Sequence, residues 1–260
     1  MLPQSCSNND VQRPPPVAAE LGGTRSYASS LADTVRRFPL RFLLPLLLLL
    51  ALPAAAHVLN TDLSKLSRTE IFGTYLRLGF DHILALDKNY LPLGLDHILF
   101  IISLYILEPR LKPVLWQATA FTVAHSITLG LAMYGLIAPP SAVVEPIIAL
   151  SILFVALENI IVDKLNPWRL VVVFGFGLVH GMGFASVLTG LGLPQKDYFG
   201  SLISFNVGVE LGQVTVILLC WALIGRWAGS KPWYKRRVVV PVSAVIGLVA
   251  AYWTVQRVFF

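Results

Sequence analysis

Five histidines occur in the chain, and four of them lie inside hydrophobic segments: His82 in GFDHIL, His97 in GLDHILF, His125 in FTVAHSITL and His180 in FGLVHGMGFA. Asp96, Glu158, Asn206 and Glu210 share these segments or adjoin them. An ionisable group within a bilayer-crossing helix is expensive and is a functional candidate for that reason. Imidazoles, carboxylates and amides all offer lone pairs, so the set suits a cation. Imidazole nitrogen is a good ligand for nickel, cobalt, zinc and copper. Calcium or magnesium would call for more oxygen ligands and no histidine.

Helical spacing sorts these residues onto faces. Asn206, Glu210 and Gln213 fall at i, i+4 and i+7, so one face carries all three. Thr122, His125 and Thr128 share a second face, and Ser151 and Glu158 a third. At 1.5 Å rise per residue, His125, His180 and Glu210 fall near the middle of their segments. Asp96, His97 and Glu145 lie toward one end and Glu158 toward the other, an order consistent with entrance, site and exit. Gly177-x-x-x-Gly181 brackets His180, and Gly208-x-x-x-Gly212 brackets Glu210. Small residues let helix backbones approach closely, so these motifs are expected to bring His180 and Glu210 together or to leave room for an ion.

The elements that would hold these residues are membrane helices. Of 260 residues, 56% are hydrophobic and only 13% charged, with a mean hydropathy of +0.71. A soluble domain carries about twice that charge. Six apolar spans are predicted near 92–108, 114–137, 143–162, 169–191, 199–224 and 238–257, with prolines clustered at their ends, as helix punctuation should be. The fold class is therefore all-α, a polytopic membrane bundle. The formal net charge of +6 does not point to nucleic acid, because the basic residues sit in short loops and before the first apolar run. Arg110 and Lys112, then Lys164 and Arg169, then Arg226, Lys231, Lys235, Arg236 and Arg237 mark three loops as cytoplasmic. The C-terminus and the segment before the first span then face outward. Cys6 and Cys220 are too few and too far apart in character for a disulfide framework or thiolate cluster.

Ahead of the spans, Arg36-Arg37-Phe38-Pro39-Leu40-Arg41, the run FLLPLLLLLALP and Ala54-Ala55-Ala56 make a cleavable secretory signal peptide. The organisation expected is a leader over 1–56, an outward-facing amphipathic segment over 57–90 and a transmembrane domain over 91–258. Cleavage would leave His57 first in the mature chain, where its position is better read as a coincidence of processing than as a ligand. Apolar residues from Ile71 to Phe80 predict a surface helix within Arg68–Leu86, followed by a loop at Asp87-Lys88-Asn89.

The blocks PLGLDHILFI, FTVAHSITL, VEPIIALSILFVALEN, FGLVHGMGFA and FNVGVELGQ, in this order over roughly 79–220, resemble the HupE/UreJ family of membrane proteins, particularly its second, broader branch. The resemblance implies a permease for nickel or cobalt, sited in the bacterial inner membrane and serving metalloenzyme maturation. By position it implies metal-pathway residues Asp96, His97, His125, Glu158, His180 and Glu210, with His82, Asn206, Gln213 and Glu145 as further candidates. In this chain residues 85–91 stand as an insertion between HIL and PLGLDHILF, which separates His82 from the Asp96-His97 pair. The expected partners are a divalent metal ion, the lipid bilayer, metalloenzyme maturation proteins and further copies of the chain, with no nucleic acid. No tightly bound cofactor is expected; nickel or cobalt would be cargo. No enzyme is expected either: HExxH, GxSxG and the phosphate-loop motif GxxxxGK[ST] are absent. A non-transporting metal sensor or assembly protein and a b-type haem electron carrier are the alternative readings.

Overall fold

A computed structural model describes residues 67–84, 91–190 and 198–260, without the side chains of 91–93 and 186–190. All of them belong to the larger of two units of the chain, Phe38–Phe260. The signal peptide, His57, the loop at 87–89 and the inserted segment up to residue 90 lie outside the described residues.

Among the described residues the structure is all-helical. We label the helices α1 (Arg68–Leu84), α2 (Leu91–Leu107), α3 (Leu111–Met133), α4 (Ser141–Ile161), α5 (Arg169–Gly190), α6 (Tyr198–Cys220) and α7 (Val240–Phe259). Helix α6 continues through a π-helical turn to Ala228, and α7 is preceded by another from Lys235. Four helices are long and apolar enough to cross a membrane: α3, α4, α6 with its extension and α7 with its extension. The shorter apolar stretches Gly94–Leu107 and Arg169–Ala185 lie in α2 and α5. Each predicted span thus coincides with a helix, and four meet the length for crossing.

The apolar surface is inverted relative to a soluble protein. Trp116, Leu136, Val171, Leu248 and Phe259 are exposed, whereas Gln117, His125, Asn159, Arg169, His180 and Gln213 are buried. In lipid this is the favourable arrangement, because polar side chains must find partners inside the bundle.

Glycines set the closest helix pairs. A Cβ on Gly177 would stand 2.6 Å from the Phe121 carbonyl oxygen and 2.8 Å from the Ala124 Cβ, and one on Gly181 would enter the His125 carbonyl. Helices α3 and α5 therefore run parallel with their backbones in contact. A Cβ on Gly208 would enter the Leu76 carbonyl, one on Gly79 the Phe205 carbonyl, and one on Gly212 would stand 2.7 Å from the Ile83 Cβ. This locks α1 parallel to α6. The two small-residue motifs thus join α5 to α3 and α6 to α1, not α5 to α6, and His180 and Glu210 are not brought together. Helix α4 packs antiparallel to α7, with Ala156 near Gly247 and the Glu145 carbonyl bound by Arg257.

The helix expected after residue 67 is present and packs against the bundle. Ser67 and Glu70 close a capping box on α1: the Ser67 amide donates to Glu70 Oε2 at 2.8 Å and the Glu70 amide to Ser67 Oγ at 3.4 Å. In α1, Ile71, Tyr75, Leu78, His82 and Ile83 are buried, because Gly79 and Gly208 let it lie against the first half of α6. Ile71, Tyr75 and Leu78 turn to protein while Phe72 and Leu76 stay exposed, and the helix delivers His82 to the interior.

Candidate metal centre

The four intramembrane histidines converge. His82 comes from α1, His97 from α2, His125 from α3 and His180 from α5. Relative exposures are 2%, 4%, 0% and 1%, so all four have left water. Ring centroids lie 4.6 Å apart for His82 and His97, 5.1 Å for His97 and His180, 6.2 Å for His97 and His125, and 6.3 Å for His82 and His125. His82, His97 and His125 each present a ring nitrogen such that all three lie within 4.8 Å of one another. Nitrogens around a tetrahedral ion with bonds of about 2.0–2.1 Å stand about 3.4 Å apart. A contraction of about 1.4 Å at most, within reach of side-chain rotation, closes the set on a metal.

The surroundings fix which nitrogen carries the lone pair. Ser151 Oγ donates to the Ile148 carbonyl at 2.7 Å, so toward His180 Nε2, 3.0 Å away, it acts as acceptor. The proton of His180 is then on Nε2, and Nδ1, which has no hydrogen-bond partner, carries the lone pair. Asn206 Nδ2 donates to the Leu202 carbonyl at 2.8 Å, which turns its Oδ1 toward His125 Nδ1 at 3.4 Å. His125 Nδ1 is then the protonated atom, and Nε2 is left without a partner. Orienting one ring nitrogen so that the other can bind is what outer partners do at metal sites. His82 has no hydrogen-bond partner on either ring nitrogen. Leaving a buried polar atom unpaired costs about 1–3 kcal/mol, and this cluster contains several. A metal would satisfy them; the neutral, nitrogen-only donor set fits a borderline transition ion.

Phe100, Phe121, Phe184 and Phe205 wall the cluster. Phe184 lies 4.0 Å from His82, Phe121 5.0 Å and Phe100 5.3 Å from His180, and Phe205 5.8 Å from His82, centroid to centroid. Helix α1 ends two residues beyond His82, which brings the negative end of its dipole to the cage.

The other residues singled out in the sequence take different places. Asp96 is buried but turned to Arg257, whose Nη2 lies 2.8 Å from Oδ2. Glu158 pairs with Arg169 at 3.0 Å, both nearly fully buried. Arg169 also donates to Asn159 Oδ1 at 2.9 Å and to the Ser103 carbonyl at 3.3 Å. Glu210 accepts from Thr119 Oγ1 at 2.7 Å in a groove between α3 and α6 lined also by Thr122, Ser126 and Asn206. Gln213 donates to Thr122 Oγ1 at 3.0 Å. Glu145 stands at the Arg257 end through its backbone carbonyl. Among the described residues, the potential metal ligands that gather are imidazoles, with no carboxylate among them.

Three residues were missed in the sequence. Arg169 read as a loop charge and Arg257 was not singled out; Arg169 is a buried and Arg257 a part-buried partner of an acidic residue. Ser151 was noticed only for sharing a face with Glu158. A signal for Arg257 existed: it closes the last span at the same predicted depth as Asp96.

The profile of the family described as HupE / UreJ protein matches residues 59–257, a stretch that takes in α1 as well as the later helices. Comparisons with curated proteins and with solved structures returned no match. Four buried histidines on four helices, arranged inside the matched region of an apolar helical chain, accord with that assignment: the chain belongs to the HupE/UreJ family.

Proposed function

We propose that this protein is a permease for a divalent transition metal, nickel or cobalt, and that the ion passes through the cage of His82, His97 and His125 with His180 beside it. The observation that carries this reading is the cage itself: three imidazole nitrogens within 4.8 Å of one another, in a bundle whose outer surface is apolar. A resident structural metal would not need a membrane. A cage built across helices α1, α2, α3 and α5 between two ends of a bundle suits an ion that arrives from one side and leaves by the other. The family is one of membrane transport type, which favours the same reading.

In this reading the protein sits in the bacterial inner membrane, its signal peptide is removed, and the Asp96 end of the bundle faces outward. The ion sheds water as it enters and is held by neutral imidazoles. Neutral imidazoles leave the charge of the bound dication uncompensated, which suits cargo that must leave again. Phe100, Phe121, Phe184 and Phe205 keep water from the cage. No nucleotide-binding motif is found in the sequence, so flux would follow the membrane potential or a proton gradient.

The test is metal influx into proteoliposomes, with nickel, cobalt, zinc and copper compared, and His180→Ala alongside. Saturable influx of nickel or cobalt, lost in the variant while the protein still inserts, is the expected result. Bound metal without flux would assign the cage to a sensor or assembly role. Absence of both binding and flux would overturn the metal reading.

A further inference from the structure

Two ion pairs lie within the bundle, the buried Glu158–Arg169 and the part-buried Asp96–Arg257, and the second adjoins a ligand in sequence. Asp96, the residue before His97, is 1% exposed. Arg257, in the last turn of α7, holds its carboxylate through Nη2 at 3.0 Å from Oδ1 and 2.8 Å from Oδ2. The same guanidinium donates from Nη1 to the Glu145 carbonyl at 3.2 Å and lies over the Trp253 ring at 5.5 Å. One side chain thus ties α2, α4 and α7 together at this end. Because Asp96 directly precedes His97 in α2, the pair stands one residue from a cage ligand.

A fixed guanidinium repels an approaching cation, most strongly where water is scarce. The carboxylate that would attract the cation is already taken. We propose that Arg257 is a tethered stand-in cation on Asp96, and that an entering divalent ion must displace it. The inference rests on the permease reading above and names the residue that sets its entry threshold. Charge decides which ions succeed. A divalent ion replacing a guanidinium adds one positive charge at the carboxylate and gains Coulomb energy by the exchange. A potassium or sodium ion exchanges one unit for one and forfeits the oriented hydrogen bonds that make guanidinium–carboxylate pairs strong. Arg257 therefore acts as a filter for valence, and the cage selects among the divalent ions that pass. Displacement also frees the Glu145 carbonyl and loosens α7 from α4 at this end, so arrival of the ion and opening of the entrance are one event.

The experiment measures nickel(II) influx into proteoliposomes carrying the full chain, as wild type, Arg257→Gln, Arg257→Lys and His125→Ala, in potassium and in a bulky organic cation. For Arg257→Gln, the KM for nickel is expected to fall at least about tenfold, the scale of one buried charge pair, and potassium is expected to become a competitor. An unchanged KM together with continued indifference to potassium overturns the proposal. If Arg257→Gln is not recovered folded, Arg257→Lys decides. It keeps the charge but loses the forked contact, so a KM below the wild-type value supports the proposal and a wild-type KM overturns it. His125→Ala separates the two levels of the argument. Wild-type influx in that variant removes the cage reading, whereas loss there with wild-type behaviour at position 257 removes only the filter.

Discussion

Gly177→Ala tests whether the separation of α3 and α5 positions the cage. The new Cβ would lie 2.8 Å from the Ala124 Cβ and 2.6 Å from the Phe121 carbonyl oxygen. Carbon atoms rest at about 3.5–4.0 Å, so the helices must part by about 0.7 Å or more. The obstacle includes backbone, which no rotamer change can remove. Gly177 precedes His180 by three residues and Phe121 precedes His125 by four, so the displacement falls on the turns that carry both histidines. Metal–nitrogen distances tolerate about 0.2 Å, and the shift exceeds this several times. A loss of about 10–100-fold in metal affinity is expected, the range seen when an orienting partner of a ligand is removed. Overpacking adds about 1–3 kcal/mol of destabilisation. The assay is nickel or cobalt titration of purified protein, with melting temperature measured in parallel. Gly175→Ala is the control, because a Cβ there meets nothing within 4 Å on the same helix. Wild-type affinity in Gly177→Ala, or an equal loss in Gly175→Ala, would refute the reasoning.

Further expectations concern the carboxylates and the pH response. Glu210→Gln should keep metal affinity within a few-fold of wild type, because Glu210 is bonded to Thr119 outside the imidazole cluster, whereas His82→Ala should lose it; equal losses by titration would return Glu210 to the site. Glu158→Gln leaves Arg169 buried without its ion partner and should cost about 3–5 kcal/mol in stability, read as a large fall in melting temperature. Metal binding by imidazole requires the neutral ring, so bound nickel should be released on acidification; retention at low pH, measured by equilibrium dialysis, would contradict imidazole ligation. The hydrogen bonds from Ser67 hold the Glu70 carboxyl below its ordinary value. A lowered folded-state value means the cap is fully formed above the unfolded value and is lost as pH falls through the folded one. Amide exchange in the first turn of α1 should accelerate over that interval in wild type and be fast throughout in Ser67→Ala.

The parts of the architecture that depend on chain-local physics were legible before the structure. Apolar runs bounded by prolines placed each predicted span on a helix, because length and hydropathy alone decide which segments partition into lipid. Depth placed His125 and His180 together at mid-span, since a uniform rise per residue converts sequence position into height, but it set His97 toward one end and Glu210 beside them, whereas His97 is the residue that joins them. Rotation between helices is set by packing and cannot be read in the same way. His82 is the clearest case: it reached the cage through Gly79 against the Phe205 carbonyl and Gly208 against the Leu76 carbonyl, contacts that no feature of α1 alone announces. Adjacent helical residues point about 100° apart, so Asp96 and His97 do not share one heading. One of the two had to face elsewhere, and Asp96 faces Arg257. Arg169 and Arg257 were hidden by their positions at span ends, where basic residues ordinarily serve orientation; burial of opposite charges opposite them changes their role.

The most direct measurement is X-ray absorption at the metal edge of the nickel- or cobalt-loaded protein, wild type and His125→Ala. The account predicts a nitrogen-dominated shell at about 2.0–2.1 Å, with the scattering pattern of three or four imidazoles in wild type and one fewer, or no bound metal, in the variant. A shell dominated by carboxylate oxygen, or one unchanged by the substitution, would contradict it.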